Sequence, residues 1–202
     1  MSVGEPRRSC RWSFSSVLAS VPAEWPALDL LARIRKEGSW AQLVVLDDDP
    51  TGTQTVHGIP VVTTWEIETL THVLGQDWPV VYILTNSRSV APSEAEKITR
   101  QVAKALTEVS SRTGKSLRVL SRSDSTLRGH FPLETDVLAA ELAAAGPPMA
   151  RLLLVPAFIE GGRYTLSGTH YLQIGDELVP TADTEFALDA SFGYRTSYLP
   201  DG

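Results

Sequence analysis

The chain has 202 residues, with 18 Lys and Arg against 24 Asp and Glu, which gives a formal net charge of −6. This length is enough for one domain with a proper core, and the acidic balance argues against nucleic acid as a partner, because phosphate contacts need a basic surface. A single cysteine, Cys10, cannot form an internal disulfide and favours a reducing compartment. No apolar run approaches the ~20 residues that a bilayer requires, so we expect no membrane contact and a cytoplasmic location.

Residues 1–40 are predicted to form an extension with one short helix, within PAEWPALDLLARIRKEG, and residues 41–202 to form the main domain. Five short apolar runs occur in that domain: QLVVL, IPVVTTW, VVYILT, LRVLS and RLLLVPAF. Continuous apolar runs are typical of strands that are buried on both faces, as in a parallel sheet covered by helices.

Two helices are predicted between these runs. The first has Ser93 and Glu96 at the spacing of a capping box, and Gly114 is placed to end it. The second, FPLETDVLAAELAAAG, has Glu134 in its first turn, where an acidic side chain favours the helix dipole. The alternation predicts an α/β fold, with a mostly parallel sheet and helices on both faces in a single domain. After residue 160 the pattern gives way to predicted loops.

Polar or charged residues follow four of the apolar runs, in DDDPTGT, TNSRS, SRSDSTLRGH and PAFIEGGR. In open α/β sheets, ligands bind beyond the carboxyl ends of the strands. If the sheet is parallel, we expect these clusters to meet at one edge of it. That edge would hold Asp48, Asp49, Thr51, Ser87, Arg88, Arg122, Asp124, Ser125, Arg128 and Arg163.

These residue types suit a small hydroxylated acid. Arginine forks bind carboxylate or phosphate in a bidentate manner, and Asp side chains accept hydrogen bonds from sugar hydroxyls, hold Mg²⁺ or act as general bases. Structural alternatives stay open for each cluster. The three carboxylates from Asp47 to Asp49 could cap a turn, SRSDSTLRGH could be a Ser-rich surface loop, and GGR could be a hairpin turn.

The first cluster also suggests a different enzyme class. LDDDPTGT contains Asp-x-Asp-x-Thr after an apolar strand, and VYILTNS ends a strand in Thr-Asn. Both resemble the first two motifs of haloacid-dehalogenase-type phosphatases, in which Asp47 would be the nucleophile. However, the late run RLLLVPAF ends without acidic metal ligands, and Gly52 stands where that motif wants an apolar residue. The phosphatase is therefore the alternative.

Taken together, DDDPTGT, LTNSRS, RSDSTLRGH and VPAFIEGGRYTLSGTHY resemble the N-terminal domain of the four-carbon acid sugar kinase family, from about residue 42 onward. The resemblance implies a kinase that uses ATP and Mg²⁺ to phosphorylate a sugar acid such as threonate, erythronate or 3-oxo-tetronate. It also implies that this chain binds the sugar acid, while a C-terminal nucleotide-binding domain, which we expect to be absent from the chain, acts in cis or in trans. A non-catalytic sugar-acid-binding module and self-association into a homo-oligomer both stay open.

By position in these motifs, Asp48 and Asp49 would be the catalytic pair that orients or deprotonates the attacking hydroxyl. The substrate-binding residues that the resemblance implies are Thr51, Gly52, Ser87, Arg88, Arg122, Asp124, Ser125, Thr126, Arg128, Gly162 and Arg163. No metal ligand is assigned. Arg122, His130 and Ile159 stand where many members carry Lys, Asn and Pro, so the identity of the sugar acid stays open.

Overall fold

A computed structural model describes residues 10–23, 27–37, 41–146 and 151–201. The strands in these ranges are β1 (Trp12–Ser13), β2 (Gln42–Asp47), β3 (Val61–Val62), β4 (Val80–Leu84), β5 (Leu117–Arg122), β6 (Arg163–Leu166), β7 (Thr169–Ile174) and β8 (Glu177–Pro180). The α-helices are α1 (Phe14–Ser20), α2 (Ala27–Glu37), α3 (Ile67–Leu74), α4 (Pro92–Thr113) and α5 (Leu133–Ala145). None of the helices so described is both long and apolar enough to cross a lipid bilayer.

The described residues group into two compact units, which we name after their sheets. The parallel unit comprises residues 27–37, 41–124, 129–146 and 151–152. The antiparallel unit comprises residues 10–23, 125–128 and 153–201. Each sheet therefore draws on segments that are not contiguous in the sequence.

The parallel unit contains a four-stranded sheet in the order β3-β4-β2-β5, with all neighbours parallel. Alternate residues of its central strands point into the core, where Val44, Val81 and Ile83 are completely buried. Leu106 of α4 packs into the same cluster, and α4 also contacts α3 and α5. The predicted α/β class with a mostly parallel sheet is confirmed, and four of the five predicted strands form this sheet.

The start of α4 differs from the prediction, although its end does not. Ala91 is the N-cap residue and Pro92 follows it, so the helix begins before Ser93 can cap it. The predicted capping box is therefore wrong, and Glu96 instead pairs with Arg100 one turn later. Gly114 adopts the left-handed conformation, with φ of 68°, and ends the helix as predicted.

The antiparallel unit contains the sheet β1-β8-β7-β6, in a region where we expected loops after residue 160. Its hairpins turn at Ser167–Gly168 and at Gly175, and all three residues have positive φ. β1 pairs with β8 although most of the sequence lies between them, and Trp12 lies opposite Leu178. These strands are two to six residues long, and polar residues such as Thr169 and Gln173 interrupt their apolar ones, which makes them harder to recognise than continuous apolar runs.

The fifth predicted strand, RLLLVPAF, is wrong. Residues 151–157 form no strand, and the side chains of Leu153 and Val155 are 85% and 68% exposed. An apolar run becomes a strand only where another strand offers backbone donors and acceptors, and no described strand pairs with this one. The GGR cluster that follows it therefore does not end a strand of the parallel sheet.

Candidate functional site

Three carboxylates surround the guanidinium group of Arg88. Its Nη2 and Nε atoms contact Oδ1 and Oδ2 of Asp48 at 2.6 and 3.1 Å. Its Nη1 atom lies 3.7 Å from a carboxylate oxygen of Asp49 and 3.6 Å from one of Asp124. These four residues, which we call the Arg88 cluster, follow β2, β4 and β5, so the parallel sheet brings the ends of three strands together.

The turn that carries Arg88 is held by backbone contacts. Asn86 has a left-handed backbone with φ of 54°, and Ser87–Ser89 form a short 3-10 turn. The N–H of Arg88 donates to the carbonyl of Asp48 at 3.2 Å. Nε2 of His130 lies 3.1 Å from the carbonyl oxygens of both Ser87 and Val90. Since carbonyls only accept, this ring nitrogen carries the proton.

The segment after β5 also contacts Asp48. The Ser123 hydroxyl donates to Oδ2 of Asp48 at 2.7 Å, so both carboxylate oxygens already accept hydrogen bonds. Gly129 lies against this contact with φ of 143°, and a Cβ there would overlap the Ser123 hydroxyl. Asp48 is only 3% exposed. It is therefore a buried anchor for Arg88.

Asp49 is the more accessible carboxylate of the pair, with a side chain that is 29% exposed. The backbone N–H and the hydroxyl of Thr51 both donate to its Oδ1, at 2.8 and 2.5 Å. These hydrogen bonds hold the pKa of Asp49 below its usual range. Asp49 is consequently ionised at neutral pH, with its Oδ2 towards Arg88.

Asp47 is completely buried at the end of β2 and pairs with Arg122, whose Nη1 lies 3.1 Å from Oδ1. Its Oδ2 atom has no hydrogen-bond partner within the described ranges. Burial raises the pKa of Asp47, and the charge of Arg122 opposes that rise. Gly52 packs directly on this pair, because a Cβ at that position would overlap both side chains. A carboxylate enclosed in this way is poorly placed to attack a phosphate.

In the antiparallel unit, Arg128 and Arg163 both lie over the ring of Phe186. Their guanidinium carbons are 5.1 and 5.8 Å from the ring centroid, which is within the range of cation–π contacts. Arg128 donates to the Thr126 hydroxyl at 3.1 Å and lies 3.6 Å from a carboxylate oxygen of Asp189. Nε of Arg163 is buried and has no hydrogen-bond partner in the part of the chain that the structure describes.

The other predicted residues of this unit belong to its backbone framework. The carbonyl of Ser125 accepts from Nε2 of His170 at 2.8 Å, and the carbonyl of Thr126 accepts from the Tyr194 hydroxyl at 2.8 Å. Gly162 has a left-handed backbone with φ of 71° before β6. These contacts fix the short loop that carries Arg128.

The predicted site residues are thus divided between the units. The parallel unit holds Asp48, Asp49, Thr51, Gly52, Ser87, Arg88, Arg122 and Asp124. The antiparallel unit holds Ser125, Thr126, Arg128, Gly162 and Arg163. The expected edge is therefore built by the clusters that follow β2, β4 and β5, and the fourth cluster does not follow a parallel strand.

Sequence reasoning missed three residues that contact the predicted ones. Phe186 and Asp189 lie in a segment without a recognisable motif, and nothing in the sequence marks them. Glu134 is only 7% exposed, although acidic residues in a first helical turn are ordinarily explained by the helix dipole. The signal that could have identified it is its spacing from the DSTLRGH motif, since Gly129 and His130 belong to the same site.

Mg²⁺ is the metal that the sequence resemblance implies. Among the residues whose placement is described, no three His, Cys, Asp or Glu side chains converge as a metal site. The carboxylates of the Arg88 cluster already face a guanidinium group. The residues present therefore do not fit a resident Mg²⁺ ion.

Comparison with known proteins identifies relatives. A model of the sugar-binding N-terminal domain family matches residues 43–202. A D-erythronate kinase of Heliobacterium modesticaldum is 31% identical over 127 residues, which cover 63% of this chain and 26% of that protein. Two crystal structures of a domain of unknown function from Bordetella bronchiseptica, both domain-swapped dimers with bound citrate, share the fold with TM-scores of 0.61 and 0.60.

The Bordetella structures are 24% and 22% identical to this chain and cover 79% and 81% of it, but only 38% and 40% of their own chains are matched. In each comparison the matched part of this chain spans less than half the length of the relative. The family match extends over most of the sequence and includes all four polar clusters. The chain therefore belongs to the sugar-binding N-terminal domain family of four-carbon acid sugar kinases.

Proposed function

We propose that this chain is the sugar-acid-binding part of an ATP-dependent kinase for a four-carbon sugar acid of the threonate, erythronate or 3-oxo-tetronate type. The observation that carries the proposal is the convergence of Asp48, Asp49, Arg88 and Asp124 within the span that matches the sugar-binding family. Because this chain shares 31% sequence identity with a D-erythronate kinase, erythronate is the first substrate to test. ATP and Mg²⁺ would be held mainly by a nucleotide-binding domain, in cis or in trans.

The two catalytic carboxylates have different roles in this proposal. In phosphoryl transfer the protein mainly positions groups and neutralises charge. Asp49 is accessible and ionised, so it would orient the attacking hydroxyl. Asp48 would hold Arg88, because both of its oxygens already accept hydrogen bonds from Arg88 and Ser123. Arg128 and Arg163, in the antiparallel unit, are the candidates for binding an anionic group.

The test is calorimetric titration of the chain with D-erythronate and D-threonate, with erythritol as the matched polyol that lacks the carboxylate. We expect binding of at least one sugar acid, weaker binding of erythritol, and loss of affinity in Asp49→Asn. Asp77→Asn is the control, because the Asp77 side chain is fully exposed. Failure of both acids to bind would refute the proposal.

A second measurement tests whether the chain alone can transfer a phosphoryl group from ATP. We expect no consumption of ATP by the chain alone in the presence of Mg²⁺ and a sugar acid, because the phosphoryl donor would need the nucleotide-binding domain. Robust turnover would contradict the assignment of the chain as the acceptor part. Binding without turnover in any domain context would instead favour the non-catalytic sugar-acid-binding module.

The phosphatase alternative is less favoured because Asp47, its nucleophile, is buried against Arg122. We expect no hydrolysis of p-nitrophenyl phosphate with Mg²⁺. Hydrolysis that depends on Mg²⁺ and disappears in Asp47→Asn would overturn the kinase assignment in favour of the phosphatase.

We also propose that the chain self-associates. The Bordetella relatives are domain-swapped dimers, and the apolar side chains of residues 152–155 are exposed here. Light scattering after size exclusion should report a dimer that Leu153→Asp weakens. Leu188→Asp is the matched control, since Leu188 is equally exposed but lies outside the run. A monomer at every concentration would exclude self-association.

A further inference from the structure

His170 is a completely buried histidine in β7 that contacts two other segments of the antiparallel unit. Its Nε2 atom lies 2.8 Å from the carbonyl oxygen of Ser125, and since a carbonyl only accepts, this nitrogen carries a proton and donates it. Its Nδ1 atom lies 2.9 Å from the hydroxyl oxygen of Thr165, the residue opposite His170 in β6. The imidazole ring therefore connects β6 to residues 125–128, which we call the 125–128 loop.

Each of these two segments carries an arginine of the candidate site. Arg163 is the first residue of β6, and Arg128 is the last residue of the 125–128 loop. Both guanidinium groups lie over the ring of Phe186, with their central carbons 5.8 and 5.1 Å from its centroid. His170 thus fixes the backbone of one arginine relative to that of the other, while Phe186 contacts both of their side chains.

The 125–128 loop contains a residue in a disfavoured backbone conformation. Leu127 has φ of 65°, in the left-handed region that residues with a Cβ rarely adopt. Such a conformation persists only where the surrounding contacts hold it. Two hydrogen bonds hold the residues that precede Leu127. His170 donates to the carbonyl of Ser125, and the Tyr194 hydroxyl donates to the carbonyl of Thr126 at 2.8 Å.

Arg163 has hydrogen-bonding capacity that the described residues leave unused. Its Nη1 atom donates to the carbonyl of Gly161, but its buried Nε atom has no hydrogen-bond partner within those residues. A guanidinium group that is shielded from water needs acceptors or a counter-charge. Arg128, which lies over the same aromatic ring, is 3.6 Å from a carboxylate oxygen of Asp189. The two arginines therefore suit a small carboxylate, which arginine binds best when its donors are held in a fixed geometry.

We propose that His170 is a positioning residue of the sugar-acid site, which holds the 125–128 loop on β6 so that Arg128 and Arg163 keep the spacing that the carboxylate of the substrate requires. The inference rests on the proposed function, because it concerns the two arginines that would bind an anionic group there. It differs from a role in packing, since it depends on one hydrogen-bond donor, the Nε2 proton of His170.

The test compares His170→Gln with His170→Leu. A glutamine side chain can place an amide donor near the position of Nε2 and so keep the hydrogen bond to Ser125, whereas leucine fills the space without a donor. His72→Leu is the matched control, because His72 is an exposed histidine of α3. We expect His170→Gln and His72→Leu to keep the wild-type conformation of the 125–128 loop, and His170→Leu to release it.

Two NMR measurements on the free chain decide the inference. A left-handed residue has a short distance between its own amide and Hα protons, so Leu127 should give a strong NOE between them that persists in His170→Gln and weakens in His170→Leu. Ser167, with φ of 49° in the turn between β6 and β7, should keep its own NOE and so reports an intact sheet. The Nε2 proton of His170 should exchange slowly with solvent in the wild type. A rapidly exchanging Nε2 proton, or an unchanged Leu127 NOE in His170→Leu, would overturn the inference, and the first result needs no variant to fold.

Calorimetry with D-erythronate supplies a functional readout. We expect His170→Leu to weaken binding about fivefold or more, the size of effect that one hydrogen bond has, and His170→Gln to bind as the wild type does. Equal weakening by both variants would refute the role of the donor. If the wild-type chain does not bind D-erythronate, the proposed function fails, while the NMR measurements still decide whether His170 holds the 125–128 loop because they need no ligand.

Discussion

The guanidinium group of Arg88 donates hydrogen bonds to both carboxylate oxygens of Asp48, at 2.6 and 3.1 Å. This pair connects the end of β4 to the end of β2, and its side chains are only 21% and 4% exposed. A bidentate pair that is shielded from water fixes both backbone segments more firmly than an exposed ion pair does. The geometry of the candidate site therefore depends on this contact.

Asp48→Asn should destabilise the fold, because it leaves a buried guanidinium without its main counter-charge. We expect a loss of about 3 kcal/mol in the free energy of unfolding. This loss is at the lower end of the range that is typical of broken buried ion pairs, since the carboxylates of Asp49 and Asp124 remain near Arg88. Urea denaturation at neutral pH measures it.

The matched control is Asp77→Asn, which breaks the contact of an exposed Asp77 with Lys115. Its effect should stay below about 1 kcal/mol, as is typical of surface ion pairs. Equal effects of the two substitutions would show that the Arg88–Asp48 pair contributes no more than a surface contact.

Thr51→Val should raise the pKa of Asp49, because the Thr51 hydroxyl is one of the two donors that lower it. Folding lowers the pKa of Asp49, so its carboxylate stabilises the folded state at any pH above 3.8, the pKa of an ordinary Asp side chain. This stabilisation is lost as the pH falls from 3.8 through the lower pKa of the folded state. We expect Thr51→Val to lower stability by about 1 kcal/mol at neutral pH. The difference from wild type should shrink in acid.

NMR titration of the Asp49 carboxyl and thermal melts from neutral to acidic pH check this prediction. Thr53→Val is the control, because the Thr53 hydroxyl donates to the carbonyl of Pro50 and not to Asp49. If Thr53→Val moves the Asp49 titration as far as Thr51→Val does, the specific hydrogen bond is not the cause.

Gly52→Ala should disrupt the buried Asp47–Arg122 pair. A Cβ at position 52 would overlap both side chains, and neither can withdraw without leaving Asp47 unpaired. We expect a loss of about 1–3 kcal/mol in stability, which is typical of overpacked interiors. Gly146→Ala is the control, since the nearest atom to a Cβ there is at 3.8 Å. A wild-type melting temperature for Gly52→Ala would contradict the close packing.

Arg128→Lys separates an anchor for an anionic group from a structural brace. Lysine keeps the charge but loses the planar fork that lies over Phe186. If Arg128 binds an anionic group of the sugar acid, D-erythronate affinity should fall roughly tenfold to a hundredfold, for a loss of ~1.5–3 kcal/mol, while the melting temperature stays close to that of the wild type.

The same sample supplies both measurements, and Arg112→Lys is the control because Arg112 pairs with Glu108 on the exposed face of α4. If Arg128 only braces its loop through Asp189, the melting temperature should fall and the affinity should be unchanged. That second outcome would refute the anchor.

The parallel sheet could be predicted because its strands are buried runs of Val, Leu and Ile. The antiparallel sheet could not, since its short strands mix polar and apolar residues and are separated by two-residue turns such as Ser167–Gly168. RLLLVPAF shows the opposite error. Its composition is that of a strand, but a strand also needs a partner, and apolar composition alone does not supply one.

The sequence also indicated that arginines face the consecutive carboxylates, although it could not assign the pairs. The pairing depends on strand order, since β2 lies between β4 and β5. Arg88 therefore reaches Asp48 from one neighbour, and Arg122 reaches Asp47 from the other.

The pairing of β1 with β8 determines the order in which the chain can fold during synthesis. Trp12 meets Leu178 only after the intervening residues have left the ribosome, which takes on the order of ten to thirty seconds at typical rates of translation. The parallel unit draws on no residue beyond 152 and can begin to fold earlier. Until β8 has been synthesised, β1 has no strand to pair with. We therefore expect the completion of the antiparallel sheet to be a slow, late step in folding, because it pairs strands that are far apart in the sequence.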